Sequence, residues 1–240
     1  MPQLSCENLA IGYEGKTIAR NINFNINEGD YLCILGENGS GKSTLMKTIL
    51  GLEKQLSGSI KLGENITCRE FGYLTQRSEL QRDFPASVKE VVYSGLQSKS
   101  RFSPFYKKSD KMLAQSIMEK MNVLDFQNRC FRKLSGGQQQ RVLLSRSLCA
   151  AKKILFLDEP MAGLDANVSV EFYSMIERLN REENLTIVMI SHDIQASLKY
   201  ASHILHVGND VLFCTKEEYL TSSHAHIFNI SDGGKKDGTI

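Results

Sequence analysis

The sequence predicts an α/β protein: a mainly parallel sheet covered by helices, an antiparallel β-subdomain near the N-terminus, and an α-helical subdomain inserted in the middle of the chain. Three observations carry that expectation. Short apolar runs recur with helical stretches between most of them. The runs are continuous rather than alternating, which suits strands buried on both faces of a parallel sheet. Two earlier segments, by contrast, alternate in character, as strands of an edge antiparallel sheet do.

Taken in order, Leu4 to Ala10 and Ile18 to Ile26 read as the alternating strands, joined by the turn GYEGK. Tyr31 to Leu35 is the first continuous run, followed after a glycine-rich loop by the helical stretch TLMKTIL. Phe71 to Leu74 is the next. From Pro85 to Arg132 apolar residues recur at spacings near three and four, in VKEVVYSGL and DKMLAQSIMEKM, so a helical subdomain is expected over about 77–133. QQRVLLSRSLCA and ANVSVEFYSMI read as helices around the strand Ile154 to Leu157, and Ile187 to Ile190 is the last core run. Residues 1–228 are expected to form the folded unit, and 229–240, ending SDGGKKDGTI, a disordered tail.

At 240 residues the chain is long enough for one substantial core, and 29 basic against 27 acidic residues leave a net charge of +2, which gives no electrostatic footprint for nucleic acid. No apolar run approaches a bilayer span, and MPQLSCENLAIGYEG lacks a basic-then-apolar layout, so a cytoplasmic location is expected. Six scattered cysteines without a C-x-x-C pair read as reduced, mostly core thiols.

Gly36-Glu37-Asn38-Gly39-Ser40-Gly41-Lys42-Ser43 fits the phosphate-loop pattern G-x-x-x-x-G-K-[ST], followed by Thr44 and lying between strand and helix as that pattern requires. The glycines let backbone amides turn inward around a phosphate chain and the helix adds its positive end. Lys42 reaches the terminal phosphates, and Ser43 can bind Mg²⁺. The fold expectation sharpens to a P-loop NTPase core, a cradle for a triphosphate with Mg²⁺. Ile154-Leu-Phe-Leu-Asp158-Glu159 is a buried strand ending in two carboxylates whose side chains leave in different directions. Asp158 suits the magnesium shell, and Glu159 suits a general base or water-orienting group. Leu134-Ser135-Gly136-Gly137-Gln138 opens a helix, with Ser135 as its N-cap and exposed glycine amides as a second anion site.

With LSGGQ shortly before the Asp-Glu strand, the chain resembles the ABC ATPase family from about Leu4 to about Leu220. The resemblance implies that the nucleotide is ATP. It also implies that Tyr13 stacks on adenine, that Gln76 contacts Mg²⁺ and the attacking water, that Asp165 belongs to a loop between subunits, and that His192 senses the γ-phosphate. Each has a plainer alternative: a surface aromatic for Tyr13, a solvated amide for Gln76, a helix N-cap for Asp165, a packed or capping histidine for His192. Ser43, Gln76, Asp158 and His192 nevertheless all lie at or just beyond strand ends, where parallel α/β sheets bind ligands.

The same resemblance implies a head-to-tail pair of subunits, with Ser135, Gly136, Gly137 and Gln138 of one acting over ATP held by the other. It further implies integral membrane permease subunits docked on the helical insertion, at the cytoplasmic face of the cell membrane. RSELQRDFPASVKEVV, from Arg77 to Val92, is similar to the stretch in zinc- and manganese-type importers, which implies metal import served by an extracytoplasmic metal-binding protein. ATPases of iron-complex, cobalamin-type or other ABC transporters, and soluble ABC proteins of translation or DNA repair, are the alternatives. Thr75 and Met161 depart from the commoner Pro, and Thr or Phe, of the family. His224 and His226 read as a solvent-facing polar segment rather than a metal site.

Overall fold

The computed structural model describes residues 2–13, 15–64, 66–76, 85–96, 106–208 and 210–222. Two sheets and seven α-helices account for most of these. β1 (Leu4–Tyr13) is the middle strand of a three-stranded antiparallel sheet, between β2 (Lys16–Ile26) and β4 (Ser57–Leu62). The other strands form a six-stranded sheet in the order β5 (Phe71–Leu74), β6 (Ile154–Asp158), β7 (Thr186–Ile190), β3 (Tyr31–Leu35), β8 (His203–Val207) and β9 (Val211–Thr215). Every pairing in it is parallel except that of the edge hairpin, β8 with β9.

The continuous apolar runs are explained by burial on both faces. Successive strand residues point to opposite sides. Tyr31, Cys33 and Leu35 enter one core and Leu32 and Ile34 the other; Leu155 and Leu157 oppose Ile154 and Phe156 in the same way on β6. One core lies against β1, β2 and α1 (Lys42–Ile49), through residues such as Leu9, Ile22, Leu45 and Met46. The other lies against α2 (Val88–Ser94), α3 (Lys108–Lys120), α4 (Gly136–Ala150), α5 (Ala166–Glu183), α6 (Ile194–Tyr200) and α7 (Lys216–Thr221).

The four expected core strands are present, and so are helices α2 and α3 within the expected helical stretch. β4, β8 and β9 go beyond the sequence reading: SGSIKL has no fully buried residue, and histidines interrupt the apolar run of HILHV. Cys6, Cys33, Cys149 and Cys214 are buried, Cys130 is half-buried and Cys68 exposed; all six are free thiols. Burial pushes the Cys33 thiol up to about 12, so it stays protonated and inert. Arg77 to Phe84, the histidine pair 224 and 226, and the tail lie outside the described residues. Among the described residues no helix is long and apolar enough to cross a membrane.

Candidate active site

β3, paired on both sides, delivers the chain into the glycine loop at the carboxyl end of the sheet. Gly36 adopts φ 146°, and a Cβ there would lie 2.0 Å from the carbonyl oxygen of Val207 at the end of β8, so a side chain is excluded. Gly41, at φ 100°, opens α1, which has no side-chain cap and no acidic residue in its first turn. Its N-terminal amides and positive dipole end therefore face the loop.

Lys42 is buried, and its Nζ donates to the carbonyl oxygens of Gly36 (2.9 Å) and Glu37 (2.7 Å). Burial pushes the Lys42 ammonium below its usual value, with Glu159 and Asp158 pulling it back. Ser40 Oγ is buried without a hydrogen-bond partner among the described residues. An orphan hydroxyl, unclaimed helix amides and a desolvated cation together make a setting for an anion. At the loop's outer edge Thr44 Oγ1 donates to the Tyr13 hydroxyl at 3.2 Å, and the Tyr13 ring is 41% exposed.

Strand parity fixes where the two carboxylates go. Ile154 and Phe156 face the α1 side, so Asp158, two residues on, faces it too. Ser43 Oγ on α1 donates to Asp158 Oδ1 at 3.2 Å, and the Tyr73 hydroxyl lies 3.5 Å from Oδ2. Asp158 is only 3% exposed. Burial raises its carboxyl above the usual range, opposed by the Ser43 hydrogen bond and reinforced by the charge of Glu159. This oxygen-only hydroxyl and carboxylate pair, with a desolvated anion to neutralise, fits a hard cation of the Mg²⁺ kind.

Glu159 leaves the strand in a left-handed conformation, φ 48°, costly for a non-glycine residue by about 1–3 kcal/mol. Its amide donates to Ile190 O at 3.1 Å and its carbonyl accepts from Ala162 N at 3.1 Å, which hold the turn in place. The turn aims the carboxylate away from Asp158 and between two donors. Gln76 Nε2 donates to Oε2 at 2.9 Å, and His192 Nε2 lies 2.6 Å from Oε1. The strand order explains the convergence: Gln76, Glu159 and His192 follow the ends of β5, β6 and β7, which are adjacent in the sheet. A carboxylate so held can orient a water and accept its proton.

Of the remaining expected site residues, Ser135, Gln138 and Asp165 are engaged in helix caps. Ser135 caps α4 in a reciprocal box: Gln138 N donates to Ser135 Oγ at 3.4 Å, and Ser135 N donates to Gln138 Oε1 at 3.0 Å. A Cβ on Gly137 would lie 2.7 Å from Val168 Cγ1, so α4 and α5 approach closely there. Asp165 Oδ1 accepts from Val168 N at 3.0 Å and caps α5, as its plainer alternative has it. Two contributors escaped the sequence reading. Tyr73 sits in an apolar strand run, and buried Gln140 donates from Nε2 to Pro160 O at 2.7 Å, tying α4 to the turn after Glu159. A buried glutamine on an apolar helix face was the available signal for the latter.

A family model described as ABC transporter matches residues 19–162, more than half of the chain. The chain belongs to the ABC transporter family. Its ABC transporter relatives include the "Zinc uptake system ATP-binding protein ZurA" of Listeria innocua, 35% identical over 88% of this chain and 84% of that protein. The "Manganese transport system ATP-binding protein MntB" of Bacillus subtilis is 37% identical over 83% of this chain and 80% of that protein. Among solved structures, one described as an inward-facing conformation of a metal-chelate type ABC transporter superposes with a TM-score of 0.84 at 28% identity. It covers 95% of this chain and 90% of its own. The mixed α/β architecture expected from the sequence is thus that of ABC ATPase domains, and ATP is the nucleotide of this family.

Proposed function

We propose that this ABC transporter subunit binds and hydrolyses ATP to drive import of a divalent metal ion, zinc or manganese, through separate integral membrane permease subunits. The names of the relatives support the metal, and the stretch from Arg77 to Val92 supported it from sequence alone. The observation that carries the enzymatic reading is the Glu159 carboxylate gripped between Gln76 and His192.

In this reading Gly36, Glu37, Asn38, Gly39, Ser40 and Gly41 wrap the phosphate chain with their amides, and Lys42 exchanges its carbonyl partners for phosphate oxygens. Thr44 steadies Tyr13, whose exposed ring takes the adenine face. Glu159 accepts the proton of the attacking water, Gln76 orients that water, and His192 holds the carboxylate and donates toward the transferred phosphate. Ser43, Asp158 and Gln76 would hold Mg²⁺, which when bound neutralises charge on the phosphates.

Ser135, Gly136, Gly137 and Gln138 act in trans on the nucleotide of a second copy of the chain, beside the Asp165 loop. Residues 1–228 form the nucleotide-binding domain, the helical subdomain at about 77–133 docks the permease at the cytoplasmic face of the membrane, and 229–240 is a tail. An extracytoplasmic metal-binding protein delivers the cargo. The metal-chelate type neighbour favours a second cargo reading, a chelated metal such as an iron complex. Growth of a deletion strain under zinc, manganese or iron limitation separates the two.

Phosphate release by Glu159→Gln tests the reaction. The variant should bind ATP like wild type and turn it over slower by a factor of about 10² or more. Turnover at the wild-type rate would remove Glu159 from the role of base.

A further inference from the structure

We propose that Tyr173 is a positioning residue: its hydroxyl pins the loop carrying His192 to α5, the helix that Asp165 caps. The inference rests on the roles given above to His192 and Glu159.

A cleft of about 240 Å³ separates the start of α5 from the His192 loop, with Glu159, Met161, Ser169, Ser191 and His192 among its walls. Ser169 is one turn into α5, and Tyr173 follows one turn further on the same face, reaching Ser191 of the cleft wall. The Tyr173 hydroxyl lies 3.1 Å from Ser191 Oγ, with the two residues 3% and 8% exposed. Ser191 Oγ also accepts from Asp193 N at 3.1 Å and donates to Asp193 O at 3.4 Å. Either hydroxyl can donate in the Tyr173 pair, and Ser191 Oγ is the node shared by all three contacts. Asp193 in turn caps α6 by accepting from Ala196 N at 2.9 Å. His192 therefore stands between two residues fixed by one hydroxyl node, and its ring meets Glu159 at 2.6 Å.

The apolar face of α5, with Phe172, Met175, Ile176 and Leu179, needs no hydroxyl for packing, and the Tyr173 ring already stacks on Tyr200 at 5.3 Å and 13°. What the oxygen adds is a fixed link from α5 to Ser191. Because a helix moves as a rigid rod over this length, a displacement at its Asp165 end reaches the His192 loop through that link.

The test uses the full chain with ATP. Tyr173→Phe keeps the ring and its stack. A lost hydrogen bond of ordinary worth should lower kcat about three- to ten-fold while KM for ATP stays within about two-fold. Ser191→Ala should show the same loss, and the double variant should be no slower than either single one. Unchanged kcat in Tyr173→Phe overturns the proposal, as do losses that multiply in the double variant or a lowered Tm with kcat intact. His192→Ala run in parallel separates the two readings. If it turns over ATP normally, the role of His192 fails and the proposal fails with it. If it is inactive while Tyr173→Phe is normal, only the Tyr173 link fails.

Discussion

Asp158 and Glu159 are neighbours treated in opposite ways by their backbone: the first is buried by strand parity, the second swung outward by a left-handed turn. The adjacent pair was legible as letters, and so was the divergence of its two side chains. The turn was not, because nothing in DEP demands positive φ. Tyr73 was also hidden, since an aromatic in a strand run reads as core until its hydroxyl is seen near Asp158. Burial, the largest influence on Asp158, raises its pKa, so folding favours the protonated form. The resulting destabilisation is absent below the ordinary carboxyl value, about 3.9, and complete once pH exceeds the raised one. Asp158→Asn removes the charge and keeps an acceptor for Ser43. Without nucleotide or divalent metal it should melt above wild type at neutral pH, and the two should converge near about pH 4 or below. Thermal melting across pH checks this, and a lower Tm than wild type at neutral pH contradicts it.

Among elements, legibility followed burial. β3, β5, β6 and β7 were readable because both faces are covered, which leaves unbroken apolar runs. β4 lies half in solvent, and β8 breaks its run with His203 and His206, so neither offered a period to read. Helix starts were readable at Ser135 and Asp165, where the capping chemistry is local, while the equally local caps at Ser87, Asp193 and Thr215 went unread. The cap of α4 also bears on stability. Ser135→Ala removes one half of the reciprocal box and should cost about 1 kcal/mol in denaturant unfolding of the isolated chain. If Ser135 also acts in trans as proposed, the same variant should slow ATP turnover by far more than that loss explains. A turnover defect no larger than the stability defect would leave Ser135 a cap only.

For the molecule as a whole, one sheet divides two cores: the glycine loop and α1 on one face, α4 and α5 on the other, with Gln76, Glu159 and His192 along its rim. If the α4 start completes the site of a second copy, phosphate release by the isolated chain should rise faster than linearly with protein concentration. Strict proportionality from a pure monomer would count against the paired arrangement. The placement of Asp158 also bears on what kinds of genetic change the chain can absorb. β6 is laddered to β5 and β7 at once, and Asp158 itself pairs with Ile190. A one-residue insertion or deletion within Ile154–Asp158 would break both ladders or carry the carboxylate to the opposite face of the sheet. The strand can be rewritten letter by letter among apolar residues of similar volume, but its length is frozen.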